Sequence, residues 1–169
     1  MISIFQLLKF FLDFGKFSYY TLFNFISVIS HISSLLYSAG AGHIQFHVEV
    51  MPRPAALVER IRARGMTAGI VLNPDTPASV CADAIPLVDT VMLMSVHPGK
   101  SGQQFIASVL SKAPELLSMM RPGQRLMIDG GVSPATAPAC REAGISVLIA
   151  ASAIYGTRDY AAAITAIRG

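Results

Sequence analysis

From His43 onward this chain alternates short β-rich runs with longer amphipathic ones, and that alternation restricts it to a parallel sheet with crossover helices. A strand is expected over His43–Val50. Pro54 then opens a helix to about Arg64, with Leu57, Val58 and Ile61 on one face and Gly65 as its stop. Thr67–Leu72 is the next strand. Asn73-Pro74-Asp75 turns the chain, and Thr76 and Pro77 serve as N-cap and first residue of a helix. Thr90–Val96 is mostly apolar and reads as a strand buried on both faces. A Gly-containing loop, His97–Gly102, leads to a helix from about Phe105 to Met120, and Pro122-Gly123 turns it back. Arg125–Ile128 is a strand ended by Asp129-Gly130-Gly131, and Ser133-Pro134 caps a helix that stops near Gly144. Val147–Ala150 is a fifth strand, Ala151-Ser152 a small-residue turn, and Asp159–Ile167 a last helix.

Five βα units do not close a standard eightfold barrel, and 169 residues is one domain, short of the roughly 250 such barrels use. An open five-stranded sheet exposes edges unless an apolar segment of the chain or a partner covers them. The natural candidate is the N-terminus. Residues 1–37 are rich in Phe, Ile, Leu, Ser and Tyr, and their only charges are Lys9, Asp13 and Lys16; from Ala39 the chain turns to Ala, Gly, Pro and Arg. We therefore divide it into an apolar segment, 1–38, and a βα region, 39–169. Phe17–Tyr37 carries no charge and has the length of a membrane span. It reads as a membrane helix or anchor, as a helix packed over exposed core, or as the product of a wrong start site or shifted frame. As a secretory signal it is poor, since Asn24, Ser27 and Ser30 interrupt its apolar run.

A net charge of +3, with Lys and Arg scattered, gives no nucleic-acid surface. Two cysteines, Cys81 and Cys140, form no CxxC pair, which argues against a disulfide framework or cysteine zinc site and fits a reducing cytoplasm.

In a parallel α/β protein ligands bind at the C-terminal ends of the strands, and three motifs lie there. Asp129-Gly130-Gly131 offers a carboxylate that can move a proton or bind a metal, beside glycines that let backbone N–H groups approach an anion. The plainer reading is a tight turn with a solvated Asp. Ala151-Ser152, after the last strand, offers a phosphate cradle; the plainer reading is an N-cap at Ser152. Pro98-Gly99-Lys100-Ser101-Gly102-Gln103 reads as a lid over a substrate or, more plainly, as a connector.

Together these motifs resemble the ribulose-phosphate 3-epimerase family, which carries a strand-end MxVxPGxxGQxF, then DGG, then GS. Here they read Met94-Ser95-Val96-His97-Pro98-Gly99-Lys100-Ser101-Gly102-Gln103-Gln104-Phe105, Asp129-Gly130-Gly131 and Ala151-Ser152. Phe46-His47-Val48-Glu49 and Gly69–Pro77 also look like the family, so the resemblance runs from about Ala39 to the C-terminus. Lys100 and Ser101 replace Phe and Gly of the common form, and Ala151 stands in place of Gly.

The resemblance implies a (β/α)8 TIM-barrel type, here a partial barrel of about five βα units plus an apolar N-terminal helical segment. It implies an isomerase that interconverts ribulose 5-phosphate and xylulose 5-phosphate by proton transfer at C3. Asp129 would be one of two acid/base carboxylates and a ligand of a divalent metal (Fe, Zn, Mn or Co). Gly130, Gly131, Ala151 and Ser152 would hold the phosphate of a ketopentose 5-phosphate. Gly99, Lys100, Ser101 and Gly102 would contact or cover the substrate, and Met94 would line the cavity or simply fill core. The family's His-x-Asp and His-Leu-Met motifs, with the other catalytic Asp and a further metal ligand, have no match in residues 1–38: His31 sits in His-Ile-Ser and Asp13 in Leu-Asp-Phe. Glu49 is an available carboxylate but belongs to a different motif. The alternatives to a truncated epimerase are therefore a non-catalytic sugar-phosphate-binding remnant and a membrane-attached interaction protein touching the bilayer through residues 17–37. A homo-oligomer is a further way to complete the site.

Overall fold

The structure, a computed structural model, describes residues 33–51, 53–97 and 103–169. The readings placed on the apolar N-terminus lie outside the described residues except for 33–38, which are helical (α1). Among the described residues no helix is long and apolar enough to cross a membrane.

Five strands follow: β1 (His43–His47), β2 (Thr67–Leu72), β3 (Thr90–Met94), β4 (Arg125–Asp129) and β5 (Val147–Ile149). All pair in parallel, and their order in the sheet is their order in the sequence. Between and after them lie α2 (Ala55–Arg62), α3 (Ala113–Met119), α4 (Ala137–Glu142), α5 (Ser152–Tyr155) and α6 (Tyr160–Arg168). This is the wall of a partial (β/α) barrel.

The strand period of two separates the faces. One face puts Ile70, Leu72, Val91, Leu93, Leu126 and Ile128 into the main core with Ile61 of α2 and Leu116 of α3, all at 1% exposure or less. Each such side chain contributes roughly 1.5–3 kcal/mol by burial. The other face holds a smaller cluster, Val71, Met92 and Met94, with Val96, Met127 and Ile149 packed against it. Gln45 on this face donates to Thr90 Oγ1 at 3.0 Å, which closes the end of the face opposite the DGG turn with polar contacts. Cys81 and Cys140 are free and buried; burial raises both thiols, Cys81 to about 11.

Three elements depart from the sequence reading. The strand expected to reach Val50 stops at His47, and Val48–Val50 is a 3-10 turn. Thr76-Pro77 does not start an α-helix; two 3-10 turns, Ala78–Cys81 and Ile85–Leu87, span the connection to β3. The hydroxyl that would have capped a helix instead donates to Glu49 Oε1 at 2.6 Å. The helix expected from Phe105 is 3-10 over Ala107–Lys112 and becomes α only at Ala113. Pro114 accounts for the break, because it has no N–H for the carbonyl four residues back and its ring crowds that carbonyl. At Ser133 the first α-type bond, Ala137 N–H to Ser133 C=O at 2.9 Å, does leave from the expected residue, although regular helix starts at Ala137.

Candidate active site at the strand ends

Asp129 is the last residue of β4, in register with Met94 of β3 and Ile149 of β5. Because side chains alternate, Asp129 shares the inner face with Met92, Met94 and Met127. Met94 is 9% exposed within that apolar cluster, so it both fills the inner face and borders the carboxylate. Burial raises the Asp129 carboxyl above its ordinary value, and the hydrogen bond from Gly130 offsets only part of that. A carboxylate in this state is a stronger base than one in water.

The two glycines that follow are set by backbone shape and by crowding. Gly130 and Gly131 have φ of +114° and +65°. A Cβ on Gly130 would lie 2.6 Å from a Val96 methyl carbon and 3.0 Å from Val96 N; one on Gly131 would lie 3.0 Å from Phe105 N. The DGG turn therefore seats on both ends of the loop that joins β3 to the following helical segment. Residues 98–102, which include Gly99, Lys100, Ser101 and Gly102, lie outside the described residues. The ends of that loop are tied together, Gln103 Nε2 donating to His97 O at 2.6 Å.

Ser95 was not singled out from the sequence. It is fully buried, and its hydroxyl reaches Asp129 O at 3.0 Å and Gly130 O at 2.5 Å while its amide donates to Asp129 O at 2.8 Å. Its carbonyl accepts from Ile106 N–H at 2.8 Å. One residue thus fixes the DGG turn and the far end of the 98–102 loop. The signal was a lone hydroxyl at the end of an apolar strand.

Ala151 and Ser152 follow β5, adjacent to β4, so this pair and the DGG turn emerge from neighbouring strand ends. Both are exposed, and Ser152 begins α5 with Ala151 as N-cap residue.

Glu49 is committed elsewhere. Its Oε1 accepts from Asn73 N–H at 2.8 Å and from the Thr76 hydroxyl at 2.6 Å, and its Oε2 lies 3.3 Å from His47 Nδ1. Burial raises its pKa, but the hydrogen bonds from His47, Thr76 and Asn73 outweigh that and hold it at about 2. Lys112 grips the same turn from the other side, donating to the carbonyls of Asn73, Pro74 and Thr76 at 3.3, 2.5 and 2.7 Å. No sequence pattern announced this lysine, whose acceptors lie in a distant segment. Asp75 in the clamped turn pairs with His97 at 3.5 Å, so the loops after β2 and β3 meet at the barrel mouth.

Among the described residues no group of three His, Cys, Asp or Glu side chains could hold a metal ion. Asp129 supplies one carboxylate, and the described residues alone do not make a metal site.

Comparisons with known proteins bear on the family and the fold. The model of the ribulose-phosphate 3 epimerase family matches residues 23–155. The ribulose-phosphate 3-epimerase of Mycobacterium tuberculosis (strain ATCC 25618 / H37Rv) is 41% identical over 133 residues, covering 77% of this chain and 58% of that protein. That of Bacillus subtilis (strain 168) is 42% identical over 135 residues, covering 78% of this chain and 62% of that protein. This chain therefore spans about three fifths of the length of the curated relatives it matches. In fold it is similar to the crystal structure of 3-hexulose-6-phosphate synthase from Salmonella typhimurium, with TM-score 0.60 at 18% identity over 82% of this chain and 65% of that one. On the family match and the shared identity, this chain belongs to the ribulose-phosphate 3 epimerase family.

Proposed function

We propose that this chain is the C-terminal βα portion of an epimerase that interconverts D-ribulose 5-phosphate and D-xylulose 5-phosphate, with Asp129 as one of its two acid/base groups. The observation that carries the reading is Asp129 itself: a strand-end carboxylate on the inner face, half-buried, with its pKa raised by desolvation. In the deprotonated form it takes the proton from C3 on one face of the sugar, and in the protonated form it returns one. Backbone N–H groups of Gly130, Gly131, Ala151 and Ser152 hold the phosphate, Met94 borders the reacting carbons, and Gly99, Lys100, Ser101 and Gly102 cover the substrate. A divalent cation bound by Asp129 would take its remaining ligands from outside the described residues.

Inversion at carbon needs a second acid on the opposite face. Glu49 does not fit that role: it accepts two hydrogen bonds on Oε1 and contacts His47 through Oε2, and it stays ionised down to about pH 2. This engagement favours the second reading, a sugar-phosphate-binding chain with one proton-transfer group and little turnover.

The deciding experiment is an epimerisation assay on the purified chain with ribulose 5-phosphate and added Fe²⁺, Zn²⁺ or Mn²⁺, with Asp129→Asn as control. The epimerase reading expects xylulose 5-phosphate to form, Asp129-dependent and slow beside a whole barrel. Sugar phosphate binding without turnover supports the binding reading. In titrations Asp129→Asn is expected to weaken metal binding more than phosphate binding, and equal losses of both count against the assigned role.

A further inference from the structure

The side-chain oxygen of Asn73, Oδ1, is buried and has no hydrogen-bond partner among the described residues, although the residue as a whole is half-buried. Leaving a buried amide oxygen in that state costs stability, and folded chains mostly avoid it. The backbone of the same residue is engaged on both sides. Its N–H donates to Glu49 Oε1 at 2.8 Å, and its carbonyl accepts from Lys112 Nζ at 3.3 Å. The turn is therefore held without the side chain, and the amide is fixed in place with an acceptor to spare.

Its place in the fold says what that acceptor faces. Val71 belongs to the inner-face cluster and Leu72 to the main core, so alternation turns Asn73 to the inner face. Leu72 pairs with Leu93, and one step further along the two strands come Asn73 and Met94. Met94 in turn pairs with Asp129. Asn73, Met94 and Asp129 thus form one row across the C-terminal ends of β2, β3 and β4, where ligands bind in parallel α/β folds. Asn73 and Asp129 stand two strand spacings apart, about 10 Å between backbones, which leaves room for a short sugar chain between the two side chains.

We propose that Asn73 is a specificity-determining residue of this site: its Oδ1 accepts a hydrogen bond from the C1 hydroxyl of the ketose phosphate. The proposal rests on the sugar-phosphate reading above and adds the orientation of the ligand. With the phosphate at the ends of β4 and β5 and C3 at Asp129, the ketose runs along the row toward β2. Its C1 end, which bears a hydroxyl and no phosphate, then meets Asn73. A hydroxyl donates to an amide oxygen, whereas a ketose with a methyl group at C1 brings no donor and leaves Oδ1 unpartnered.

The test is titration of the full 169-residue chain with D-xylulose 5-phosphate, with 1-deoxy-D-xylulose 5-phosphate, which lacks only the C1 oxygen, and with inorganic phosphate. The parent is expected to bind the hydroxylated sugar about three- to ten-fold more tightly than the deoxy one. Asn73→Leu, close in size and without the amide, is expected to bind the two sugars equally and inorganic phosphate as the parent does. Because it removes an unpartnered buried acceptor, its free chain is expected to melt at the same or a higher temperature. Asn73→Ala repeats the measurement without the added apolar bulk. A preference for the C1 hydroxyl that both variants keep overturns the proposal and leaves the sugar-phosphate reading standing, as does a parent that binds the two sugars equally. A parent that binds neither sugar overturns both. Loss of all three ligands together with a fall in melting temperature in both variants overturns the proposal too, since the amide then holds the fold and not the sugar.

Discussion

The Ser95 hydroxyl lies 2.5 Å from the carbonyl oxygen of Gly130 and 3.0 Å from that of Asp129, so one buried side chain continues the β3–β4 pairing past the end of both strands. The turn that follows Asp129 is thus held from β3 as well as by its own Gly130 N–H. Ser95→Ala takes the hydroxyl from the Gly130 carbonyl and leaves the Asp129 carbonyl with the Ser95 amide alone. It is expected to lower stability by about 1–3 kcal/mol, read as a shift in the denaturant midpoint, and to reduce any Asp129-dependent activity further than the stability loss accounts for.

The two glycines of the turn fail for different reasons, and a second substitution separates them. Gly130→Ala meets the Val96 side chain at 2.6 Å at a φ of +114°, while Gly131→Ala meets the backbone of Phe105 at 3.0 Å at +65°. Each is expected to cost about 1–3 kcal/mol. Val96→Ala is expected to relieve part of the loss in Gly130→Ala and none of it in Gly131→Ala, because a side chain can be trimmed and a backbone cannot. A thermal-unfolding double-mutant cycle measures the difference.

The barrel wall was legible because strands and helices announce themselves by period and by Gly and Pro punctuation: Thr67–Leu72 has the expected bounds, and all five units are present. What was hidden depended on partners far away in sequence. Thr76 looks like a helix cap until Glu49, 27 residues earlier, takes its hydroxyl. The helix after β3 looks continuous until Pro114 meets the 3-10 turn before it. Asp129 and its glycines stand out as a motif, but Ser95 and Lys112, which hold the turns at the mouth, act through backbone carbonyls that no residue pattern encodes.

Asp129 is expected to reduce stability in its ionised state. Its folded pKa is raised, so the fold favours the protonated form, and stability is lost as pH rises from the ordinary value of 3.8 through the folded one. Asp129→Asn removes the buried charge. It is expected to unfold at the same or a higher temperature than the parent at pH 7, with the gap closing below about pH 3.8. A lower melting temperature at pH 7 would show that a further partner stabilises the ionised carboxylate.

Glu49 is expected to act in the opposite sense. Its folded pKa of about 2 lies below the ordinary 4.5, so its contribution is complete above pH 4.5 and is lost as pH falls toward 2. Glu49→Gln keeps the shape but removes the charge that Asn73 N–H and the Thr76 hydroxyl point at, and is expected to cost about 1–3 kcal/mol at neutral pH. The gap between parent and variant should narrow between pH 4.5 and 2, followed by urea unfolding at each pH. Asp83→Asn, at an exposed site, serves as the control for general charge effects. Thr76→Val removes one donor and leaves the carboxylate, so its parent-to-variant gap should shrink over the same window while that of the control stays flat. A Glu49→Gln profile parallel to the parent at every pH would mean that the turn after β2 is held by Lys112 and not by this carboxylate.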